Sequence, residues 1–278
     1  MVTNSRGSKQ QSLPFLSLLR YPGGKSWLRP RVIEWLKRHP KRISVFIEPF
    51  AGGASIGLAV AQLNLADEVI LVEKDPDVAT FWKVVFGPEW ERLDQRIQEF
   101  RLNRRAVVKL LSSKPITDCD RAFQCLVRNR VQRAGIIAPG AGLLRRGEDD
   151  NGLGSRWYPD TFSRRLRAVH DCADRIRFVE GDGIEVMRGY AKRRTAAFFV
   201  DPPYTVDGIG PGKRLYRCSD VEASTVFKSL RALHGPWLAT YHDTPAIRQF
   251  VTKSHFHLRE IAVRDSHHQT KRELIITA

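Results

Sequence analysis

The order of strand and helix signals between residues 43 and 86 restricts the fold more than any other feature of the sequence. Residues 43–47 are rich in β-branched and aromatic side chains and predict a strand, and residues 54–63, which follow a glycine turn, predict a helix. Residues 68–72 and 77–86 repeat the strand and the helix. A βαβα unit of this kind is typical of a parallel sheet with right-handed crossovers. The sequence therefore predicts an α/β domain.

Strand signals are weak in residues 83–174 and return after them. This intervening part predicts mainly helices, interrupted by a glycine-rich stretch at 135–154. The later strand signals cover residues 175–179, 195–200, 237–241, 257–263 and 273–277. We therefore predict one discontinuous α/β domain, formed by 1–82 and 175–278, that carries a helical insertion at 83–174.

The charge of the chain predicts a polyanionic partner. Lysine and arginine number 46 against 30 aspartate and glutamate residues, a net charge of +16. A membrane-surface protein would usually place its lysines on one amphipathic helix, and no such segment occurs, so nucleic acid is the favoured partner. A generally basic protein without such a partner is the alternative.

The insertion has the clearest basic segment. No acidic residue lies between Asp120 and Glu148, whereas six arginines do. These are Arg121, Arg128, Arg130, Arg133, Arg145 and Arg146. The pattern favours a DNA-binding face, and the alternative is an exposed helix and loop with solvated arginines.

Composition and cysteine spacing exclude several classes of protein. Hydrophobic residues at 42% and charged residues at 27% are ordinary for a globular protein and exclude a disordered one. The four cysteines form no C-x-x-C pair, and the histidines lack i, i+4 partners, so we expect no metal site and no disulfide framework. No long apolar run predicts a membrane span and no secretory leader is recognisable, so we expect a cytoplasmic protein.

A glycine turn follows the first predicted strand. Residues 52–57 read Gly-Gly-Ala-Ser-Ile-Gly, a degenerate G-x-A-x-x-G at the start of a helix. Gly52 and Gly53 would let a ligand approach the backbone, and Glu73 at the end of the next strand is placed to hold ribose hydroxyls. Together these residues predict an adenosine-containing ligand, and the alternative is merely a tight turn.

A second motif, Asp201-Pro202-Pro203-Tyr204, directly follows a buried strand. The carboxyl ends of strands are where open α/β sheets bind ligands, and the two prolines fix the local geometry. Asp201 could accept a hydrogen bond from an amino group, and Tyr204 offers a flat face for a base. The alternative is a turn with a satisfied aspartate.

A third motif, residues 20–25, ends in Gly-Gly-Lys ahead of the first helix. The spacing differs from that of a P-loop, which argues against nucleotide hydrolysis. Lys25 could neutralise either a carboxylate or a DNA phosphate, and an ordinary loop lysine is the alternative.

With these three motifs in this order, the chain resembles the Dam-like DNA adenine methylases. Their sequences show a Gly-Gly-Lys motif, an E-P-F-x-G-G turn, a target-recognition insertion and D-P-P-Y. Here these lie at residues 21–25, 48–53, 83–174 and 201–204. The resemblance covers essentially the whole chain after Leu13, and the ordered set is much more specific than any one motif.

The resemblance implies a Rossmann-like methyltransferase with a mostly parallel, seven-stranded sheet. It implies transfer of a methyl group from S-adenosylmethionine to N6 of adenine in double-stranded DNA, and it identifies no recognition sequence and no cognate restriction nuclease. The cofactor-binding residues would be Tyr21, Lys25, Gly52, Gly53, Glu73, Asp182 and Asp201. The catalytic residues would be Asp201, Pro202 and Tyr204. The DNA-binding residues would be Arg128, Arg130, Arg133, Arg145 and Arg146.

The chemistry of the motif agrees with such a reaction. An adenine inside a duplex must be flipped out to reach a cleft, and Tyr204 could replace the lost stacking. Hydrogen bonds from N6 to the Asp201 carboxylate and the Pro202 carbonyl would favour an sp³ nitrogen aligned with the sulfonium methyl.

The sequence departs from the family in one place and leaves other functions open. Family members carry an asparagine- and glycine-bearing pattern in the insertion, and residues 128–135 here differ from it, so target specificity cannot be transferred. Cytosine N4 methylation and an RNA substrate remain alternatives within the class. A nicotinamide-dependent oxidoreductase would share the glycine turn and Glu73 without needing D-P-P-Y, and a non-catalytic DNA-binding module would not need the pocket.

Overall fold

The computed structural model describes residues 14–21, 24–137, 141–147, 151–203, 221–264 and 270–278. Seven strands within these residues form one sheet, in the order β3-β2-β1-β4-β5-β7-β6. The strands are β1 (Ile43–Glu48), β2 (Ala66–Glu73), β3 (Ile176–Glu180), β4 (Ala196–Val200), β5 (Trp237–His242), β6 (His257–Arg264) and β7 (Thr270–Thr277).

The sheet is mostly parallel, as predicted for a Rossmann-like methyltransferase. Strands β1 to β5 run in one direction, and β7 lies antiparallel between β5 and β6. The strand order reverses at β1, which has β2 on one side and β4 on the other. A crevice at the carboxyl ends of the strands at such a reversal is the usual ligand site of an open α/β sheet.

The described helices cover both faces of the sheet. They are α1 (Arg29–Lys37), α2 (Ser55–Gln62), α3 (Pro76–Phe86), α4 (Trp90–Glu99), α5 (Arg104–Ser112), α6 (Asp118–Val131), α7 (Pro159–His170), α8 (Gly183–Tyr190), α9 (Ala223–Arg231) and α10 (Pro245–Ser254). Alternate residues of β1 enter different cores: Phe46 joins one apolar cluster, and Val45 and Ile47 join the other. This follows from the two-residue period of a strand that is buried on both faces.

The described residues between β2 and β3 form helices that pack onto the sheet. Leu93 of α4, Phe123 of α6 and Phe162 of α7 belong to the same apolar cluster as Phe46 of β1. The predicted boundary at residue 83 falls inside α3. The insertion and the sheet domain therefore share one hydrophobic core.

The described cysteines are buried. Cys119, Cys125 and Cys172 are free thiols in the interior, and Cys218 lies outside the described residues. Burial raises the pKa of the Cys125 thiol, which keeps it in the protonated form. Within the described ranges, no group of His, Cys, Asp and Glu side chains could hold a metal ion, and no helix has the length and hydrophobicity to cross a membrane.

Candidate functional site

One cavity of about 450 Å³ lies at the carboxyl ends of β1, β2 and β4. All three sequence motifs contribute to its wall. Its lining includes Lys25, Gly52, Glu73, Asp182, Asp201 and Pro202. These residues are far apart in the chain, and they meet because the carboxyl ends of neighbouring parallel strands lie at the same edge of a sheet.

The glycine turn is shaped by an aromatic ring. Gly52 has a φ of +47°, and a Cβ atom added to it would lie 2.8 Å from ring carbons of Tyr21. Trp82 Nε1 donates to the Gly52 carbonyl at 2.8 Å, and Ser17 Oγ donates to the Gly53 carbonyl at 2.5 Å. The sequence predicts that Gly52 lets a ligand approach the backbone, and in the described residues the Tyr21 ring is the group that lies close to it. Tyr21 itself lines the cavity.

The third glycine of the turn is also explained by packing. A Cβ atom on Gly57 would lie 2.3 Å from Leu71 Cδ2 and 2.7 Å from Glu48 Oε2. The Gly57 N–H donates to that Glu48 oxygen at 2.7 Å. Burial raises the pKa of Glu48 to about 8, and the negative charge of Asp201 contributes to the rise.

Glu73 is held rigidly at the floor of the cavity. Its Oε1 accepts from the N–H groups of Lys74 and Asp75, both at 2.8 Å, and its Oε2 accepts from the Gly52 N–H at 2.9 Å. Burial raises the pKa of Glu73 to about 7, although these backbone hydrogen bonds oppose the rise. A carboxylate oxygen can accept about two hydrogen bonds, so Oε2 keeps capacity for a ligand hydroxyl.

Asp182 lies on the same side of the cavity as the end of β2. It caps α8 by accepting from the Ile184 N–H at 2.8 Å, and Lys74 Nζ lies 2.9 Å from its Oδ2. Partial burial alone would raise the pKa of Asp182, but the hydrogen bonds from Lys74 and Ile184 outweigh it and lower the pKa. A carboxylate of fixed position and charge is thus available beside Glu73.

Asp201 is part of a buried charge network. Lys25 Nζ lies 3.2 Å from Asp201 Oδ1 and 3.5 Å from Glu273 Oε2, and only 2% of the Lys25 side chain is exposed. Thr240 Oγ1 donates to Asp201 Oδ1 at 2.6 Å. Of the roles considered for Lys25, the structure shows neutralisation of a carboxylate.

Sequence reasoning missed Thr240 and Glu273. Both lie inside strands and belong to no motif. The pairing register reveals Thr240, because Val200 pairs with Ala239 and the next residue of β5 then lies beside Asp201. Glu273 comes from β7, opposite His242. Strand pairing brings Thr240 and Glu273 to Asp201 from distant parts of the chain, so no local sequence pattern indicates these contacts.

Two of the five arginines predicted to bind DNA are committed to contacts within the protein. The Arg130 side chain is buried, donates to the Leu18 carbonyl and lies over the Phe162 ring with its Cζ 4.7 Å from the centroid. Arg128 Nη1 lies 3.4 Å from Asp77 Oδ2, and only 20% of its side chain is exposed. The Arg130 side chain is therefore buried and lies at the wall of the cavity instead of on an exposed face, and its contact with DNA stays a prediction.

The other three predicted arginines are accessible. Arg133, Arg145 and Arg146 are exposed, near the glycine-rich part of the insertion. Pro202 lines the cavity beside Asp201, and Tyr204 lies outside the described residues, as do Pro22 and Gly23 of the first motif.

Comparisons with known proteins bear on this site. The family model described as D12 class N6 adenine-specific DNA methyltransferase matches residues 21–265. No curated protein matches the chain in sequence. Similar solved structures include the rRNA methyltransferase aviRa of Streptomyces viridochromogenes, with 16% identity, a TM-score of 0.43 and coverage of 92% of this chain and 86% of that one. Another is the precorrin-6y C5,15-methyltransferase of Geobacter metallireducens GS-15, with 10% identity, a TM-score of 0.39 and coverage of 90% and 86%. At these low values neither likeness bears on substrate.

Proposed function

Since the chain belongs to the D12 class of N6 adenine-specific DNA methyltransferases, we propose that the cavity at the carboxyl ends of β1, β2 and β4 binds S-adenosylmethionine and the target adenine side by side. The observation that carries this proposal is the meeting of Glu73 and the Lys25–Asp201 pair in one cavity. Cofactor hydroxyls would lie at Glu73, and the reacting amino group would lie at Asp201.

The residues around Glu73 suit the cofactor. A cavity of about 450 Å³ is within the usual range for a small-molecule site. Glu73 has acceptor capacity for ribose hydroxyls, and Asp182 and Lys74 offer polar groups nearby for the adenine moiety. When bound, S-adenosylmethionine supplies an electrophilic methyl group on a positively charged sulfur. The carboxylates of Glu73 and Asp182 would attract that positive charge.

The residues around Asp201 suit the target base. Lys25 and Thr240 both contact Oδ1, so the carboxylate enters the reaction already oriented. Its role would be to accept a hydrogen bond from N6, together with the Pro202 carbonyl, and so to direct the nitrogen lone pair at the methyl group. Once N6 carries the methyl group it is positively charged and more acidic, and its proton would then pass to water.

A direct test is identification of the product. The protein is incubated with methyl-labelled S-adenosylmethionine and unmethylated plasmid DNA, and the DNA is digested to nucleosides. We expect the label in N6-methyladenine. Label in N4-methylcytosine, or transfer to RNA but not to DNA, would contradict the proposed substrate.

We predict that Glu73→Ala weakens binding of S-adenosylmethionine by about 1–3 kcal/mol, the range for a lost hydrogen bond to a charged group. Isothermal titration calorimetry gives the affinity directly. Glu180→Ala is a matched control, because Glu180 is the residue of β3 that pairs with Glu73 of β2. The Glu180 side chain is exposed, forms an ion pair with Lys83 and does not line the cavity. Unchanged affinity for S-adenosylmethionine in a folded Glu73→Ala variant would contradict the proposal that Glu73 binds the cofactor.

The same titration has a pH-dependent component. The pKa of Glu73 is raised to about 7, and ribose hydroxyl donors favour its ionised form, so affinity should be lower at pH 6 and rise through pH 7 to pH 8. Glu73→Gln keeps the shape and cannot ionise. This variant should therefore lose the part of the pH dependence that Glu73 causes.

We also predict that the exposed arginines of the insertion contact double-stranded DNA. Changing Arg133, Arg145 and Arg146 together to glutamine should reduce the slope of log affinity against log salt by about one for each phosphate that these side chains neutralise. Fluorescence anisotropy at several salt concentrations measures this slope.

A matched control changes Lys192, Arg193 and Arg194 to glutamine. These exposed residues precede the amino end of β4, at the edge of the sheet opposite the cavity, and the net charge change is identical. The control should have a smaller effect on the slope. Equal slopes in the two triple variants would contradict a specific DNA face on the insertion.

A further inference from the structure

The first turns of α7 form one wall of the cavity. Tyr158 immediately precedes α7, and Thr161, Phe162 and Arg165 lie in its first two turns; all four line the cavity. Phe162 is also part of the hydrophobic core. The insertion therefore contributes directly to the site, in addition to the strand ends that carry the motifs.

Tyr158 is the exposed member of this wall. Its exposed fraction is 52%, and no other Phe, Tyr or Trp side chain in the described ranges is exposed. Its hydroxyl donates to the Ser155 carbonyl at 2.5 Å, which fixes the direction of the ring. An aromatic ring gains free energy by covering its faces, so an oriented, accessible ring at a ligand cavity is a preformed surface for another flat group.

The charge around Tyr158 distinguishes between the two flat groups that the cavity would hold. Arg165 also lines the cavity, where its Nη1 donates to the Ser17 carbonyl at 2.8 Å and its Cζ lies 5.0 Å from the centroid of the Phe15 ring. Arg20 lines the same cavity and is exposed, and Arg164 is exposed on α7. These cations attract a DNA strand and disfavour the positively charged sulfonium of the cofactor. The wall that contains Glu73 and Asp182 has the opposite charge and suits the cofactor.

We propose that Tyr158 stacks on the adenine after it has left the duplex and so holds the base in the cavity. The proposal rests on the proposed function, because it needs a flipped adenine at Asp201. Tyr158 belongs to the insertion and is separate from Tyr204 of the D-P-P-Y motif. Its stacking would connect DNA binding by the insertion to the placement of the base.

The sequence that the protein methylates is first identified on an unmethylated plasmid. The experiment then uses the full-length protein and a short duplex that contains this sequence. Single-turnover methyl transfer is measured for Tyr158→Phe, Tyr158→Leu and Tyr158→Ala. We expect Tyr158→Phe to be close to wild type, whereas Leu and Ala lower the rate about 5- to 150-fold, the range that base stacking on an aromatic is worth by alanine substitution. Tyr190→Ala is the control, because Tyr190 lies on α8, contacts Arg177 and does not line the cavity.

A second substrate separates stacking from a structural effect. When the target adenine lies opposite an abasic site, it leaves the helix easily, so the lost stacking matters less and the defect of Tyr158→Ala should shrink. Affinity for S-adenosylmethionine should be unchanged in all three variants. A defect of equal size on both duplexes, equal defects for Phe and Ala, or weakened cofactor binding would each overturn the proposal.

Failure of the proposed function would look different. If wild-type protein binds S-adenosylmethionine but forms no N6-methyladenine in plasmid DNA, the proposed substrate is wrong and the role of Tyr158 falls with it. If wild-type protein forms N6-methyladenine and Tyr158→Leu does so at the wild-type rate on the paired duplex, only the role of Tyr158 is wrong.

Discussion

Replacing Asp201 by alanine should lower the single-turnover rate of methyl transfer by about 10²- to 10³-fold, the effect of removing one preorganised polar group from a reacting centre. Asp201 Oδ1 is held by Lys25 Nζ at 3.2 Å and Thr240 Oγ1 at 2.6 Å, so its position is set before substrate binds. Without the carboxylate, the amino group of adenine loses the acceptor that orients its lone pair. Binding of the methyl donor and of DNA should largely survive.

The Asp201→Ala variant should fold, because the buried Lys25 ammonium keeps a counter-charge. Glu273 Oε2 lies 3.5 Å from Lys25 Nζ and remains after the substitution. A buried cation with no partner would be much more costly. A thermal melt close to that of the wild type, together with unchanged DNA affinity by fluorescence anisotropy, would show that the loss is confined to the chemical step.

A matched control for Asp201→Ala is Asp243→Ala. Asp243 follows β5 at the same edge of the sheet, but its carboxylate binds Arg248 with N–O distances of 2.6 and 2.8 Å and does not line the cavity. We expect a methylation rate near that of the wild type for this control. A near-normal rate in Asp201→Ala itself would contradict the mechanism.

The centre of the sheet could be predicted from sequence because β1 and β4 are nearly continuous apolar runs, and a charged residue, Glu48 or Asp201, marks the end of each. The strand predicted at 43–47 is observed as Ile43–Glu48, and the strand predicted at 195–200 as Ala196–Val200. The largest difference is in the last strand, which begins at Thr270, three residues before the predicted start. Its first residues are polar and become strand by pairing with β6, so no apolar pattern marks them.

The site could be predicted only as far as its residues follow strand ends. Glu73 is the last residue of β2 and Asp201 directly follows β4, and parallel topology brings both to one edge of the sheet. The partners of Asp201 could not be predicted, because Thr240 and Glu273 reach it through pairing register. Charge counting likewise could not show that Arg130 is buried, because its contact with the Leu18 carbonyl joins segments far apart in the chain.

Asn129, in the segment 128–135 that departs from the family pattern, has a structural role. Asn129 is completely buried in α6. Its Oδ1 accepts from the Arg20 N–H at 2.8 Å, and its Nδ2 donates to the carbonyls of Arg20 and Gly135, both at 2.8 Å. Arg20 precedes Tyr21, whose ring packs on Gly52. The Asn129 side chain thus holds the Arg20–Tyr21 segment in place beside the glycine turn, where we propose that the cofactor binds.

We predict that Asn129→Ala destabilises the protein by about 3–5 kcal/mol, because three buried or partly buried backbone groups lose their partner at once. The melting temperature should fall by about 10 °C, since each kcal/mol shifts it by about 2–4 °C in a domain of this size class. Affinity for S-adenosylmethionine should fall as well, since the Arg20–Tyr21 segment is no longer held against the glycine turn. Differential scanning calorimetry and titration calorimetry measure the two effects.

Asn103→Ala is the matched control for Asn129→Ala. Asn103 is exposed and caps α5 by accepting from the Ala106 N–H at 2.9 Å, so its loss should cost about 1 kcal/mol and leave cofactor affinity unchanged. Asn129→Asp keeps the acceptor and removes both donors, so it should be at least as damaging as Asn129→Ala. If Asn129→Ala instead melts like the control and binds the cofactor normally, Asn129 does not position the Arg20–Tyr21 segment for cofactor binding.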